Sequence, residues 1–151
     1  MSLKFPSINN IVVIDSNFVL LPFQFKINYL EEIQSELEGT TCFIIFKQII
    51  NELEAKKSRE PKATKFQRNL KSGLSYLENN KESFNIYFLE DIKEESETTD
   101  DFLLRSSINL KTKKSLVFLA SNDALLRKKA KESAIGRIFL RQNKYLSFER
   151  S

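Results

Sequence analysis

A carboxylate at the end of an apolar run is the first feature of this sequence able to do chemistry. Ile11, Val12, Val13 and Ile14 run without alternation into Asp15. Four β-branched residues in a row describe a strand buried on both faces. An ionised carboxylate at its end costs on the order of several kcal/mol unless a cation or hydrogen-bond donors meet it. Further acids follow: Glu52 in IINELEA, the pair Asp100 and Asp101 in TTDDFLL, and Asp123 in ASNDALL. The chain has no histidine, which removes Ser-His and Cys-His nucleophile pairs, an imidazole base and the usual catalytic zinc site. Carboxylates without histidine suit a hard divalent cation such as Mg²⁺ or Mn²⁺. A plainer explanation competes at three of these positions. Acids in a first helical turn are favoured by the helix dipole alone, which applies to Asp100 and Asp101 and to Asp123, beside the caps Ser121 and Asn122.

Composition narrows the frame around these acids. With 151 residues, 41% of them hydrophobic, the chain fits one domain, 1–151, that can bury a core without staples. The single cysteine, Cys42, excludes an internal disulfide and a Cys-rich zinc site, and its neighbours Thr41, Phe43 and Ile44 mark it as core filler. None of the three glycines, Gly39, Gly73 and Gly136, stands in a phosphate-cradling GxxxxGK or GxGxxG pattern. The apolar run 11–23 is broken by Asp15 and falls short of the ~20 residues of a membrane span, and the N-terminus shows no signal-peptide pattern. A cytoplasmic protein with no membrane partner is the expectation.

The elements that must position the acids alternate along the chain. After the first strand, Phe25, Tyr29, Ile33 and Leu37 recur at helical spacing, with Gly39 as the stop. TCFIIF predicts a second buried strand and KQIINELEA a helix, and a longer helical region runs to about Asn79, with Pro61 marking the break between the two. FNIYFL is a third strand. Thr98 and Thr99 can cap a helix through DDFLLRSSINL, SLVFLA is a fourth strand, NDALLRKKAKESA a helix stopped near Gly136, and RIFLR a fifth strand. Alternation of this kind predicts a mostly parallel five-stranded α/β sheet with helices on both faces. In such sheets the ligand crevice lies beyond the carboxyl ends of the strands, where Asp15 and Asp123 fall. Glu52 lies on the helix after the second strand, at the border of its packed stripe.

The basic residues gather in one place. Residues 55–71 carry seven cations, Lys56, Lys57, Arg59, Lys62, Lys65, Arg68 and Lys71, against the single acid Glu60. The stretch begins just after Glu52, so it should flank the crevice and offer a surface for nucleic-acid phosphates; a solvated helix face is the alternative. RKKAKE, residues 127–132, reads as such a solvated face. Phe84, Tyr87 and Phe88 fit strand and core positions better than a base-stacking platform. The net charge of +4 is consistent with a nucleic-acid partner.

VVIDSNFVLLPFQF, IINELEA, TTDDFLLRSS and FLASNDALLRKKAKE, followed by GRIFLRQNKYL, resemble the ordered acidic motifs of the PIN-domain nucleases. Within that family the chain is similar to archaeal single-domain PIN proteins related to the nuclease that cleaves precursor ribosomal RNA in the small-subunit processome. The likeness spans nearly the whole chain except the basic middle. Ser16 and Ser121 stand where threonine is usual in the family, and both keep the hydroxyl.

The resemblance implies a PIN-like three-layer fold and a catalytic, metal-binding cluster of Asp15, Glu52, Asp100 and Asp123. Asp101 is a neighbour or further ligand, with Asp100 preferred because Leu103 stands three residues after it. Asn17, Ser121 and Asn122 would support these carboxylates through hydrogen bonds. The implied activity is endonucleolytic hydrolysis of RNA with one or two Mg²⁺ or Mn²⁺ ions, in ribosomal RNA processing or as the toxin of a toxin–antitoxin pair. Lys56, Lys57, Arg59, Lys62, Lys65 and Arg68 are the expected RNA-binding residues. A homodimer, an antitoxin or a ribosome-assembly partner stay open, as does a non-catalytic RNA-binding assembly factor on the same fold. A phosphoaspartate phosphatase needs a second aspartate two residues after the first, where this chain has Asn17.

Overall fold

The computed structural model describes residues 8–150. The absence of a signal-peptide pattern concerns residues 1–7, which lie outside the described residues. Strand β1, Asn10–Ile14, is buried along its whole length because it is central: β2 (Thr41–Phe46) pairs with it on one side and β4 (Leu116–Ala120) on the other, both parallel. The order across the sheet is β3 (Ile86–Leu89), β2, β1, β4, β5 (Gly136–Arg141) and β6 (Tyr145–Glu149). All neighbours are parallel except β5 and β6.

Helices cover both faces. Behind β1 come two short ones, α1 (Ser16–Val19) and α2 (Leu21–Gln24), then α3 (Tyr29–Glu36). The helix α4 (Lys47–Arg59) leaves β2, α5 (Thr64–Asn79) returns to β3, α6 (Thr99–Leu110) leads into β4, and α7 (Ala124–Glu132) joins β4 to β5. Phe18, Tyr29 and Tyr76 stack in series, with ring centroids 5.6 and 5.3 Å apart, and lock α1, α3 and α5 together. Cys42 is fully buried in β2, as core filler should be.

Three expectations are corrected. The sheet has six strands, because YLSFE forms the antiparallel edge β6. It returns through Gln142 and Asn143, both at positive φ (55° and 54°), with the Lys144 amide donating to the Arg141 carbonyl at 3.1 Å. That is type I′ geometry without the Asn-Gly or Asp-Gly signal that usually announces it. The single helix expected across Phe25 to Leu37 is instead α2 and α3, separated by Lys26 at φ 56°. Pro22 sits in the first turn of α2, where its missing N–H costs nothing, and the interruption comes four residues later, at Lys26. Finally, α7 is ended by Ala134 at φ 59°, not by Gly136, which opens β5.

Candidate metal-binding acidic site

Strand register brings the first components together. Ile14 lies opposite Ala120 in the parallel β1–β4 pair, so the next residues on each strand, Asp15 and Ser121, emerge side by side. The Ser121 hydroxyl donates to Asp15 Oδ2 at 2.7 Å, the Ser16 amide donates to Oδ1 at 2.7 Å, and the Asn17 amide group donates to Oδ2 at 3.2 Å. Asp15 is 6% exposed. Neutral donors from three residues meet it, and no cation among the described residues does. Burial pushes its carboxyl above the ordinary range; the bonds from Ser121 and Ser16 pull the other way, and the charges of Asp123 and Glu52 add to the rise.

Topology delivers the other acids to the same end of the sheet. A helix leaving a parallel strand starts at that strand's carboxyl end, and a helix leading into the next strand starts there too. Glu52 lies in the second turn of α4, and its carboxylate accepts a short hydrogen bond from the Thr99 hydroxyl. Asp100 is in the first turn of α6, half-buried, and no described residue donates a hydrogen bond to its carboxylate. Burial raises its pKa first, then the charges of Asp123 and Asp15, with Lys129 opposing. Asp101, next to it, is exposed and pairs with Lys129 at 3.5 Å. Asp123 caps α7, its Oδ1 accepting from the Leu126 amide at 3.0 Å, and no described residue donates to its other oxygen. The capping role and the open oxygen coexist.

The turn carrying Asp123 is tied down from three sides. Asn17 Oδ1 accepts from the Asn122 amide at 3.0 Å, Asn122 Oδ1 accepts from the Leu140 amide at 2.8 Å, and the Asp123 amide donates to Ser121 Oγ at 3.1 Å. Two further residues were hidden in the sequence. Thr98 and Thr99 look like equivalent caps; the structure divides them, Thr98 capping α6 through the Asp101 amide at 3.1 Å and Thr99 holding Glu52. Arg127, read as part of a solvated face, is half-buried. Its guanidinium lies 4.1 Å over the Phe139 ring and donates to the Asn122 carbonyl at 3.1 Å. The signal available was its place four residues after Asp123, which puts both on one helix face.

The donor set is entirely hard oxygen, with unshared capacity at Asp100 and Asp123 and mutual repulsion among Asp15, Asp100 and Asp123, which is the chemistry a divalent cation relieves. Among the described residues no three acids stand at the mutual spacing of a formed metal site, so the carboxylates gather at one end of the sheet without closing on a common point.

The profile of the PIN-like domain family matches residues 12–143. The chain belongs to that family. No curated protein matches the sequence significantly. Among solved structures, the PIN-like chain is similar to that titled "Structure of the PIN domain endonuclease Utp24", with a TM-score of 0.67, 20% identity, and 93% of this chain and 92% of the other covered. It is also similar to a domain of a functionally unknown protein from Methanocaldococcus jannaschii DSM 2661, with a TM-score of 0.61, 19% identity, and 87% and 91% covered. At these identities the likeness is one of fold. PIN domains are nucleases, which sets the coarse chemistry of the chain. No helix among the described residues is long and apolar enough to cross a membrane.

The expected RNA-binding residues are exposed but do not form one patch. Lys56 and Arg59 stand four and seven residues after Glu52 and share its face of α4. Lys57 turns the other way, into a cleft between α4 and α5 that Arg68 and Lys71 also line. Lys62 lies on the connection and Lys65 in the first turn of α5.

Proposed function

We propose that this PIN-like protein is a divalent-metal-dependent endoribonuclease that hydrolyses RNA phosphodiester bonds with Mg²⁺ or Mn²⁺. Asp15, Glu52, Asp100 and Asp123 would hold the cation, with Asp101 at the rim. One observation carries the reading: Asp100 is a half-buried carboxylate with no hydrogen-bond donor among the described residues, placed where Asp123 and Asp15 repel it. Such a group is costly unless a cation completes it. When bound, the cation supplies an acidified water and positive charge against the scissile phosphate.

The chain's own residues do the rest. Ser121, Ser16 and Asn17 donate to both oxygens of Asp15, so the ionised carboxylate is held in one orientation. The Thr99 hydroxyl anchors one oxygen of Glu52. Asn122 and Arg127 hold the turn that aims Asp123. Lys56 and Arg59, on the Glu52 side of α4, offer cations to phosphates approaching a crevice that otherwise repels them. The likeness to an endonuclease of known structure supports internal cleavage, and the resemblance to ribosomal-RNA-processing members makes structured precursor ribosomal RNA the first substrate to try. A cytoplasmic place of action fits the lone, buried Cys42.

The test is cleavage of a labelled structured RNA by the parent and by Asp15→Asn, with Mn²⁺ and with EDTA. The parent should cut only with metal, and the variant should lose cleavage by orders of magnitude while still binding RNA. Cleavage by the variant at the parent's rate would overturn the assignment. Metal-independent binding without cleavage by the parent would favour the assembly-factor reading.

A further inference from the structure

The cleft between α4 and α5 opens on a different face of α4 from that of Glu52, since Glu54 and Lys57 stand two and five residues after it. It encloses about 420 Å³ between Lys57 and Glu54 on one helix and Arg68 and Lys71 on the other, with Leu70 and Leu74 lining it. Three cations therefore face one carboxylate, and none of the three makes an ion pair among the described residues. The ion pairs found there lie elsewhere: Lys47 with Glu90, Arg105 with Glu97, Lys129 with Asp101, and Arg137 with Glu149. Arg68 and Lys71, one turn apart on α5, also weaken their own helix as like charges.

Glu54 remains in the cleft as an acceptor, but carbonyls at the end of α4 beside it are engaged. The last carbonyls of a helix carry partial negative charge, and α4 ends beside this cleft. The Gln67 side chain donates to the Lys57 carbonyl at 3.1 Å and to the Glu60 carbonyl at 3.2 Å, while the Lys56 carbonyl accepts from the Glu60 amide at 3.0 Å. What remains is concave, cationic at the rim and apolar at the floor.

We propose that this cleft is a second nucleic-acid subsite, which grips the phosphates of a strand on a different face of α4 from that of Glu52. The proposal rests on the reading of the chain as an RNA-binding nuclease. A helix with side chains is about 10–12 Å across, so a strand leaving the crevice crosses the Lys56 and Arg59 face before reaching Lys57, Arg68 and Lys71. The subsite makes affinity depend on strand length, because only an RNA that spans α4 touches both places.

Binding of fluorescein-labelled single-stranded RNAs of 4 and 20 nucleotides is measured in EDTA across a salt series. The parent is compared with the triple variant Lys57→Ala, Arg68→Ala, Lys71→Ala and with a control variant of equal charge, Lys113→Ala, Lys114→Ala, Lys128→Ala. The subsite predicts that the cleft variant loses at least tenfold in affinity for the 20-mer. Its slope of log K against log salt flattens by about 2, since each lost phosphate contact on a single strand contributes about 0.7. The gap between 20-mer and 4-mer affinity narrows, and the charge-conserving Lys57→Arg, Arg68→Lys, Lys71→Arg variant recovers most of the loss. An unchanged slope, or an equal loss in the control, overturns it. So does competition by AMP as effective as that of the 20-mer, which would make the cleft a mononucleotide site. Catalysis plays no part in these readings. A parent that binds through the cleft but does not cut leaves the subsite standing without the nuclease reading, and a parent that cuts while the cleft variant binds normally does the reverse.

Discussion

Asp15 and Asp100 are both carboxyls held above their ordinary pKa, chiefly by burial, and they give the metal-free protein a pH dependence of known sign. Where the folded pKa is raised, the native state keeps a proton that the unfolded chain has already released. Stability from these groups is therefore full below the ordinary carboxylate pKa of about 4 and is lost as pH rises through their raised folded values. In EDTA, urea denaturation should show the protein becoming more stable as pH falls from 7 toward the ordinary carboxylate range. Glu97, which the Arg105 guanidinium draws down to about 2, works the other way. Its contribution is present above 4.5, so it does not blunt the rise over that range. A flat or falling profile over that whole range would mean that neither carboxyl is strained. Arg127 gives a second prediction at this scale. Arg127→Ala removes both a charged hydrogen bond to Asn122 and the stack on Phe139, and should cost about 2 kcal/mol in chemical denaturation. Cleavage should fall as well, because the Asp123 turn loses one of its ties. Arg127→Lys should restore little, since an ammonium cannot both stack and reach the carbonyl.

At the scale of elements, the site follows from helix starts and strand ends, and that much was legible. Ile11 to Ile14 announced a doubly buried strand, and the alternation of β and α segments placed Asp15 and Asp123 beyond the strand ends of a parallel sheet, while Glu52 and Asp100 joined them only through the family resemblance. Asp100 and Asp101 part in the structure, the first half-buried and repelled by Asp123 and Asp15, the second exposed and paired with Lys129. Less legible was whatever depends on contacts distant in sequence. Thr98 and Thr99 are indistinguishable until Glu52 is beside one of them. The short helices α1 and α2 have no periodicity long enough to read, and β6 hides behind a turn without glycine. Gly73 makes the same point. A helix-interior glycine ordinarily gains up to about 1 kcal/mol when changed to alanine. Here a Cβ would stand 2.0 Å from the Val19 carbonyl oxygen, the closing residue of the helix that begins beside Asp15. Gly73→Ala should therefore destabilise, by about 1–3 kcal/mol in a urea titration. A gain in stability would show that α1 and α5 are not held this close.

At the scale of the molecule, acids and bases are segregated around α4, with a crevice of carboxylates on one face and a cationic cleft on another, inside a chain of net charge +4. Segregation of this kind leaves like charges repelling one another at the acidic end, which a bound divalent cation would relieve. The direct measurement is thermal melting of the parent and of Asp100→Asn, each in EDTA and in Mn²⁺. Saturating the parent at a hundredfold excess over the dissociation constant should stabilise it by about 2.7 kcal/mol. For a protein of this length that is a rise of roughly 5–11 °C. One neutral amide removes both repulsion and a ligand, so Asp100→Asn should melt higher than the parent in EDTA and respond less to Mn²⁺. If Asp100 only favours the start of α6, the variant will melt slightly lower in EDTA and show the parent's full response to Mn²⁺, and the proposed metal site is wrong.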